Sequence, residues 1–137
     1  MGRILAVDFG LKRTGIAVTD PLRIIATALE TVPTNTLLNF LKTYTQKETV
    51  DEFVIGMPKT LKNEDSEIAP LVRKFIEVLK NDFPGKPIHE VDERFTSRIA
   101  QRTMIEGGMK KKDRQEKGNV DKISATIILQ SFLESSR

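Results

Sequence analysis

The link between the first two apolar segments is the tightest constraint in this sequence. Arg3 to Phe9 is an apolar run ending in Asp8 and Gly10, and Thr14 to Thr19 reads TGIAVT, with only GLKR between them. Short apolar runs bounded by turn residues are strand signals. Two parallel strands of one sheet need a crossover of about a dozen residues or more. This link is far shorter, so the two strands must pair as an antiparallel hairpin. Ile24 to Leu29 is a third run, joined through DPLR, and extends the hairpin into a meander.

The pattern changes after Pro33. Leu37, Leu38, Phe40, Leu41 and Tyr44 recur at helical spacing, with Thr34 to Thr36 as N-cap candidates. Phe53 to Ile55 forms a compact strand that stops at Gly56-Met57-Pro58. The polar loop KTLKNEDS leads to a helix striped by Ile68, Leu71, Val72, Phe75, Ile76 and Leu79, with Pro70 tolerated in its first turn. Pro84-Gly85 breaks that helix, and Ile88 to Val91 is the fifth strand. A short helix from Thr96 through Ile99, Met104 and Ile105 stops at Gly107-Gly108. A last helix runs from about Val120 to Glu134.

The element order is βββαβαβαα. Three antiparallel strands followed by strands separated by helices predict an α/β fold, a five-stranded mixed sheet with helices on both faces, for which the ribonuclease-H-like likeness implies the order 3-2-1-4-5. The ribonuclease-H-like fold is built this way, whereas a doubly wound fold places a helix straight after its first strand. At 137 residues, 1–137 reads as one domain.

Composition narrows the chemistry. The absence of cysteine excludes disulfides and thiolate metal sites. No stretch approaches the roughly 20 apolar residues that span a bilayer, and MGRILAVDFG lacks the apolar core of a secretory signal. The expectation is a cytoplasmic protein that does not engage a membrane. The net charge of +3 is too mild to identify a nucleic-acid binder. Its distribution says more: KKKDRQEK, from Lys110 to Lys117, sets Lys110, Lys111, Lys112, Arg114 and Lys117 against two acids. Alone, such a run is most simply a solvated loop. Beside a catalytic site it becomes an electrostatic grip on phosphates.

Carboxylates supply that site. Asp8 ends an apolar strand, where an ionised side chain needs a partner or a metal. Asp92 and Glu93 end the fifth strand in the run VDER, and Asp121 falls in the first turn of the last helix. Two strand ends and a helix start can converge on one sheet edge. Such a cluster repels itself unless cations are bound, and Mg²⁺ takes carboxylates together with phosphate and water. Two metals about 3.5–4 Å apart would activate a water against a phosphodiester. Lys12 and Arg13, at the tip of the first hairpin, and Arg94 beside Glu93 are placed to meet flanking phosphates. His89 lies inside the fifth strand and reads as a packing or edge residue rather than a general base.

The same residues resemble the YqgF/RuvX family, relatives of Holliday-junction resolvases associated with maturation of the 5′ end of pre-16S ribosomal RNA. The resemblance rests on VDFGLKRTGIAVTD at 7–20, VIGMP at 54–58, DERFTS at 92–97 and KGNVDKISATIILQSFL at 117–133. It implies a ribonuclease-H-like fold, a divalent-metal nuclease using Mg²⁺ or Mn²⁺, and a structured nucleic-acid substrate. Carried over by position, Asp8, Glu93 and Asp121 are the implied metal ligands, with Asp92 as the fallback for Glu93. Strand alternation sends Asp92 and Glu93 to opposite sides, so only one faces the metals. The chain departs from the family pattern after GMP, where KTLKNEDSE contains no glycine. Ser124 stands where alanine is common.

Two other readings compete. DFGxxxxG also resembles the phosphate-1 loop of actin-like ATPases, but those enclose a nucleotide between two such domains. A nucleic-acid-binding assembly factor with a weak acidic site is the non-enzymatic alternative. A branched-DNA resolvase needs a dimer to make paired cuts. With no long exposed apolar helix face in the sequence, a monomer acting on structured RNA is the expectation.

Overall fold

The computed structural model describes residues 2–57, 68–92 and 117–135, with side chains described for all of these except 92, 117–122 and 135. Strands β1 (Arg3–Asp8), β2 (Arg13–Thr19) and β3 (Ala26–Pro33) form the meander. A single 3-10 turn (Thr34–Thr36) leads into helix α1 (Leu37–Lys47), then β4 (Val50–Met57), helix α2 (Ala69–Asp82), β5 (Ile88–Asp92) and helix α3 (Lys117–Ser135). The sheet order is β3-β2-β1-β4-β5, as the ribonuclease-H-like likeness implies. β1 pairs antiparallel with β2 and parallel with β4, and β4 pairs parallel with β5.

Alternation along β1 sorts the core into two layers. Leu5 and Val7 pack with Ile16, Phe53 and Ile55 against Leu37 and Leu41 of α1 and Val72, Ile76 and Leu79 of α2. Ile4 and Ala6 face the other way, with Ala17 and Val54, against Ala125, Ile128, Leu129 and Leu133 of α3. The small residues Ala6, Ala17 and Ala125 let α3 approach the sheet closely. α2 begins as expected with Pro70 in its first turn, and its end is followed by Gly85 at φ 84, a left-handed turn that favours glycine.

Several boundaries differ from the sequence reading. β3 starts at Ala26, not Ile24. The amides of Ile24 and Ile25 donate to the Asp20 carboxylate at 2.8 Å, so this apolar pair belongs to a capped turn and stays exposed. Arg23 adopts φ 60 in that turn. Its guanidinium donates to Asp51 at 2.6 Å, Glu52 at 2.9 Å and the Gly2 carbonyl at 3.1 Å, which holds the strained backbone in place. β4 is longer than Phe53 to Ile55 and continues through Gly56 and Met57. The N-cap expectation fails: neither Pro33 nor Thr36 makes a side-chain cap, and the Thr36 hydroxyl donates to the Pro33 carbonyl instead. α3 starts at Lys117, so Gly118 lies inside it and Asp121 falls in its second turn, not its first. The expected helix from Thr96 to Ile105 and the loop KTLKNEDSE lie outside the described residues.

Two expected outcomes follow from this packing. Phe53 is fully buried, with its ring centroid 5.2 Å from that of Phe83. Phe53→Ala should cost about 3–5 kcal/mol in chemical denaturation. Asp51 titrates below its ordinary value, first because the Gly2 amide donates to it and also because of Arg23. A lowered folded pKa contributes stability above the unfolded value of about 3.9 and loses it as pH falls through the lowered one. The thermal destabilisation caused by Arg23→Ala should therefore be full at pH 7 and shrink in that acid range; a pH-independent effect would show that Asp51 is not Arg23's energetic partner.

Candidate functional site

Asp8 ends β1, half-buried, and the two-residue strand period puts it on the α3 side with Ile4 and Ala6. Opposite it on β2 stands Gly15. On β4, Val7 is level with Ile55, so Gly56 follows beside Asp8 on the same face as Val54. Gly56 in turn pairs with Val91 of β5. The positions level with Asp8 on the two neighbouring strands are thus both glycine. A glycine inside a strand often marks a close approach by a ligand or another backbone. Residue order alone does not single out either glycine as a neighbour of the site; the one available signal is glycine interrupting two apolar runs.

The N-terminal end of α3 is directed towards the same edge. The Phe132 ring lies 4.6 Å from His89, and Leu133 and Glu134 line a cleft with Ile24 to Ala26. These contacts lie where β1, β4 and β5 begin, so α3 runs antiparallel to β1. Its N-terminal turns are therefore directed towards the end that carries Asp8. Position 121 precedes Ala125 by four residues and Ile128 by seven, which puts its backbone on the sheet-facing stripe. The backbone of Asp92 ends β5 level with Met57, whose side chain belongs to the α1–α2 core. His89 and Val91 occupy the opposite, α3 side. His89 is a packing residue, as expected, with Nε2 2.9 Å from Glu52.

The cationic turn sits beside Asp8. Lys12 is exposed and Arg13 half-buried. Arg13 lies two residues before Gly15, so the strand period puts it on the α3 side with Asp8. Gly10 is required here, because a Cβ would lie 2.2 Å from the Arg13 carbonyl oxygen. Lys117 opens α3. Glu93, Arg94, Lys110, Lys111, Lys112 and Arg114 lie outside the described residues. Among the described residues no group of three His, Cys, Asp or Glu side chains comes together, and of the proposed trio only the Asp8 side chain is among them. A donor set of carboxylates, in a chain without cysteine, suits a hard divalent cation.

Gly10→Ala should destabilise the fold by about 1–3 kcal/mol, since the turn must open to relieve the overlap. Thermal melting of the variant, with Gly85→Ala for comparison at a left-handed position, checks this.

Comparison with known proteins finds relatives along nearly the whole chain. The family model described as RuvX, Holliday junction resolvase, matches residues 2–135. A Bacteroides thetaiotaomicron protein is 57% identical over 137 residues, covering 100% of this chain and 99% of the relative. An Amoebophilus asiaticus protein is 54% identical over 135 residues, covering 98% of this chain and 96% of its own. A Porphyromonas gingivalis protein is 55% identical over 135 residues, covering 98% of each. All three carry the name "Putative pre-16S rRNA nuclease". Among solved structures, T. thermophilus RuvC in complex with Holliday junction substrate superposes with a TM-score of 0.59 at 13% identity, over 99% of this chain and 97% of that one. That likeness is one of fold, and the fold is ribonuclease-H-like. Sequence motifs, sheet order and full-length identity together place this chain in the RuvX family of nucleases.

Proposed function

We propose that this chain is a divalent-metal nuclease that processes the 5′ end of pre-16S ribosomal RNA, working in the cytoplasm as a single 1–137 unit and as a monomer. The observation that carries the reading is the position of Asp8: at a strand end, between two glycines, on the face that α3 covers and towards which position 121 is directed. Asp8, Glu93 and Asp121 are its metal ligands. The face alternation of β5 supports Glu93 over Asp92: His89 and Val91 share the α3 side with Asp8, and the next residue of that period is 93. Mg²⁺ or Mn²⁺ held there supplies charge neutralisation at the phosphate and acidifies a water.

The chain's own groups do the rest. Asp8 is an acceptor-only ligand whose backbone is locked in the central strand, so its oxygens need little reorganisation. Arg13, on the same face, and the exposed Lys12 hold the substrate strand through its phosphates. Arg94, Lys110, Lys111, Lys112, Arg114 and Lys117 extend that grip along the strand. The family description also favours a second reading, cleavage of branched DNA, which needs two active sites and hence a dimer.

Cleavage of labelled precursor RNA and of a four-way DNA junction, each with Mn²⁺ or EDTA, separates these readings. Metal-dependent cutting of the RNA is expected. Asp8→Asn should lower it by more than the roughly 10–100-fold that loss of an outer-shell partner costs. Glu93→Gln should match it, with Asp92→Asn close to wild type. Preference for the junction would move the assignment to resolution of DNA. Tight, salt-sensitive RNA binding without cutting would leave a non-catalytic assembly factor.

A further inference from the structure

Thr34 holds the turn that carries Lys12 and Arg13 from outside. Thr34 stands at the end of β3, immediately after Pro33, whose backbone is level with Arg13. Its hydroxyl donates to the Gly10 carbonyl at 2.7 Å, and its backbone amide donates to the Lys12 carbonyl at 2.9 Å. Its oxygen also lies 2.9 Å from the hydroxyl of Thr14, which is fully buried. A hydroxyl has one proton to give. With that proton on Gly10, the Thr14 hydroxyl is the donor to Thr34. The resulting chain runs from Thr14 through Thr34 to Gly10, and the Lys12 carbonyl is fixed separately.

The geometry points to Thr34 as a positioning residue for substrate phosphates. Both carbonyls that bracket Leu11 are fixed by this one residue, and Leu11 itself is 70% exposed. The exposed tip has little hydrophobic anchorage, so these hydrogen bonds and the close Gly10–Arg13 approach help to set its shape. Asp8 lies two residues before Gly10, and Lys12 lies two residues after it. Thr34 therefore sets where the cationic tip stands relative to the catalytic carboxylate. Loss of its hydroxyl leaves the Gly10 carbonyl and the buried Thr14 hydroxyl without this partner, a change that favours a relaxed turn. This inference rests on the reading of Lys12 and Arg13 as phosphate ligands.

Binding without cleavage tests it. A fluorescent single-stranded RNA of about 30 nucleotides is titrated in EDTA over a range of salt, and the slope of log Kd against log salt is taken. Lys12→Ala/Arg13→Ala should lower that slope by about one to two, roughly one unit for each phosphate no longer neutralised. Thr34→Val should raise Kd about tenfold and lower the slope comparably. Thr34→Ser should restore both. In the Thr34→Val background the Lys12→Ala/Arg13→Ala change should add little, because the two act through one turn. If Thr34→Val does not fold, Thr34→Ala is read in its place. A lower melting temperature with unchanged Kd and slope, or fully additive effects, would show a purely structural threonine and overturn the inference. So would a wild-type slope indifferent to Lys12 and Arg13, even if RNA cleavage is intact. Conversely, absent cleavage with the expected binding pattern sinks the nuclease reading and leaves Thr34 in its role.

Discussion

β1 is covered on both faces, and that double burial sets the rest of the molecule. Its odd positions, Leu5 and Val7, must enter the layer under α1 and α2, and its even positions, Ile4 and Ala6, the layer under α3. A slip of one residue would exchange the two sets and push Asp8 into the α1–α2 core as a buried charge. The register of the central strand and the orientation of the candidate catalytic acid are therefore one physical decision. Hydrophobic packing enforces it, so the site needs no dedicated scaffold of its own.

The two ends of the sheet are closed by different means. At the end where β1 begins, polar contacts do the work: Arg23 bridges Asp51, Glu52 and Gly2, the Ile4 amide donates to Thr19, and His89 meets Glu52. These fasten the Asp20 turn onto the start of β4 and satisfy backbone groups that a bulge at Asp51 would otherwise strand. At the other end the hydrogen bonds are gathered around Thr34, and the carboxylate edge is bordered by glycines. Charged side chains thus fasten one end of the sheet, while small residues flank the candidate catalytic acid at the other.

Much of this was legible from residue order. The short GLKR link excludes a crossover helix, and that alone separates this topology from a doubly wound one. Apolar spacing located α1 and α2, and the four sequence blocks carried the family. Boundaries were less legible where a side chain competed with the ladder. Ile24 and Ile25 look like strand by composition, but the Asp20 carboxylate takes their amides. Thr34 looks like a helix cap, but its hydroxyl is used by a turn 24 residues earlier. The first competition is local, an Asp-Pro turn whose carboxylate outcompetes the strand ladder. The second has no local signature, because Gly10 meets Thr34 only once β3 has paired with β2.

Sequence by itself thus determined the class of fold, the family and the residue types able to hold a metal, since those follow from periodicity, link length and side-chain chemistry. Tertiary structure decided what depends on register. It set the face from which Asp8 emerges, the glycines that flank it on two other strands, and the end of the sheet towards which α3 directs position 121. It also decided that Thr34 bonds the Gly10 and Lys12 carbonyls of the cationic turn. Such relations join residues far apart in the chain, and they come into being only when strand pairing and two-sided burial fix the alignment of one strand against the next.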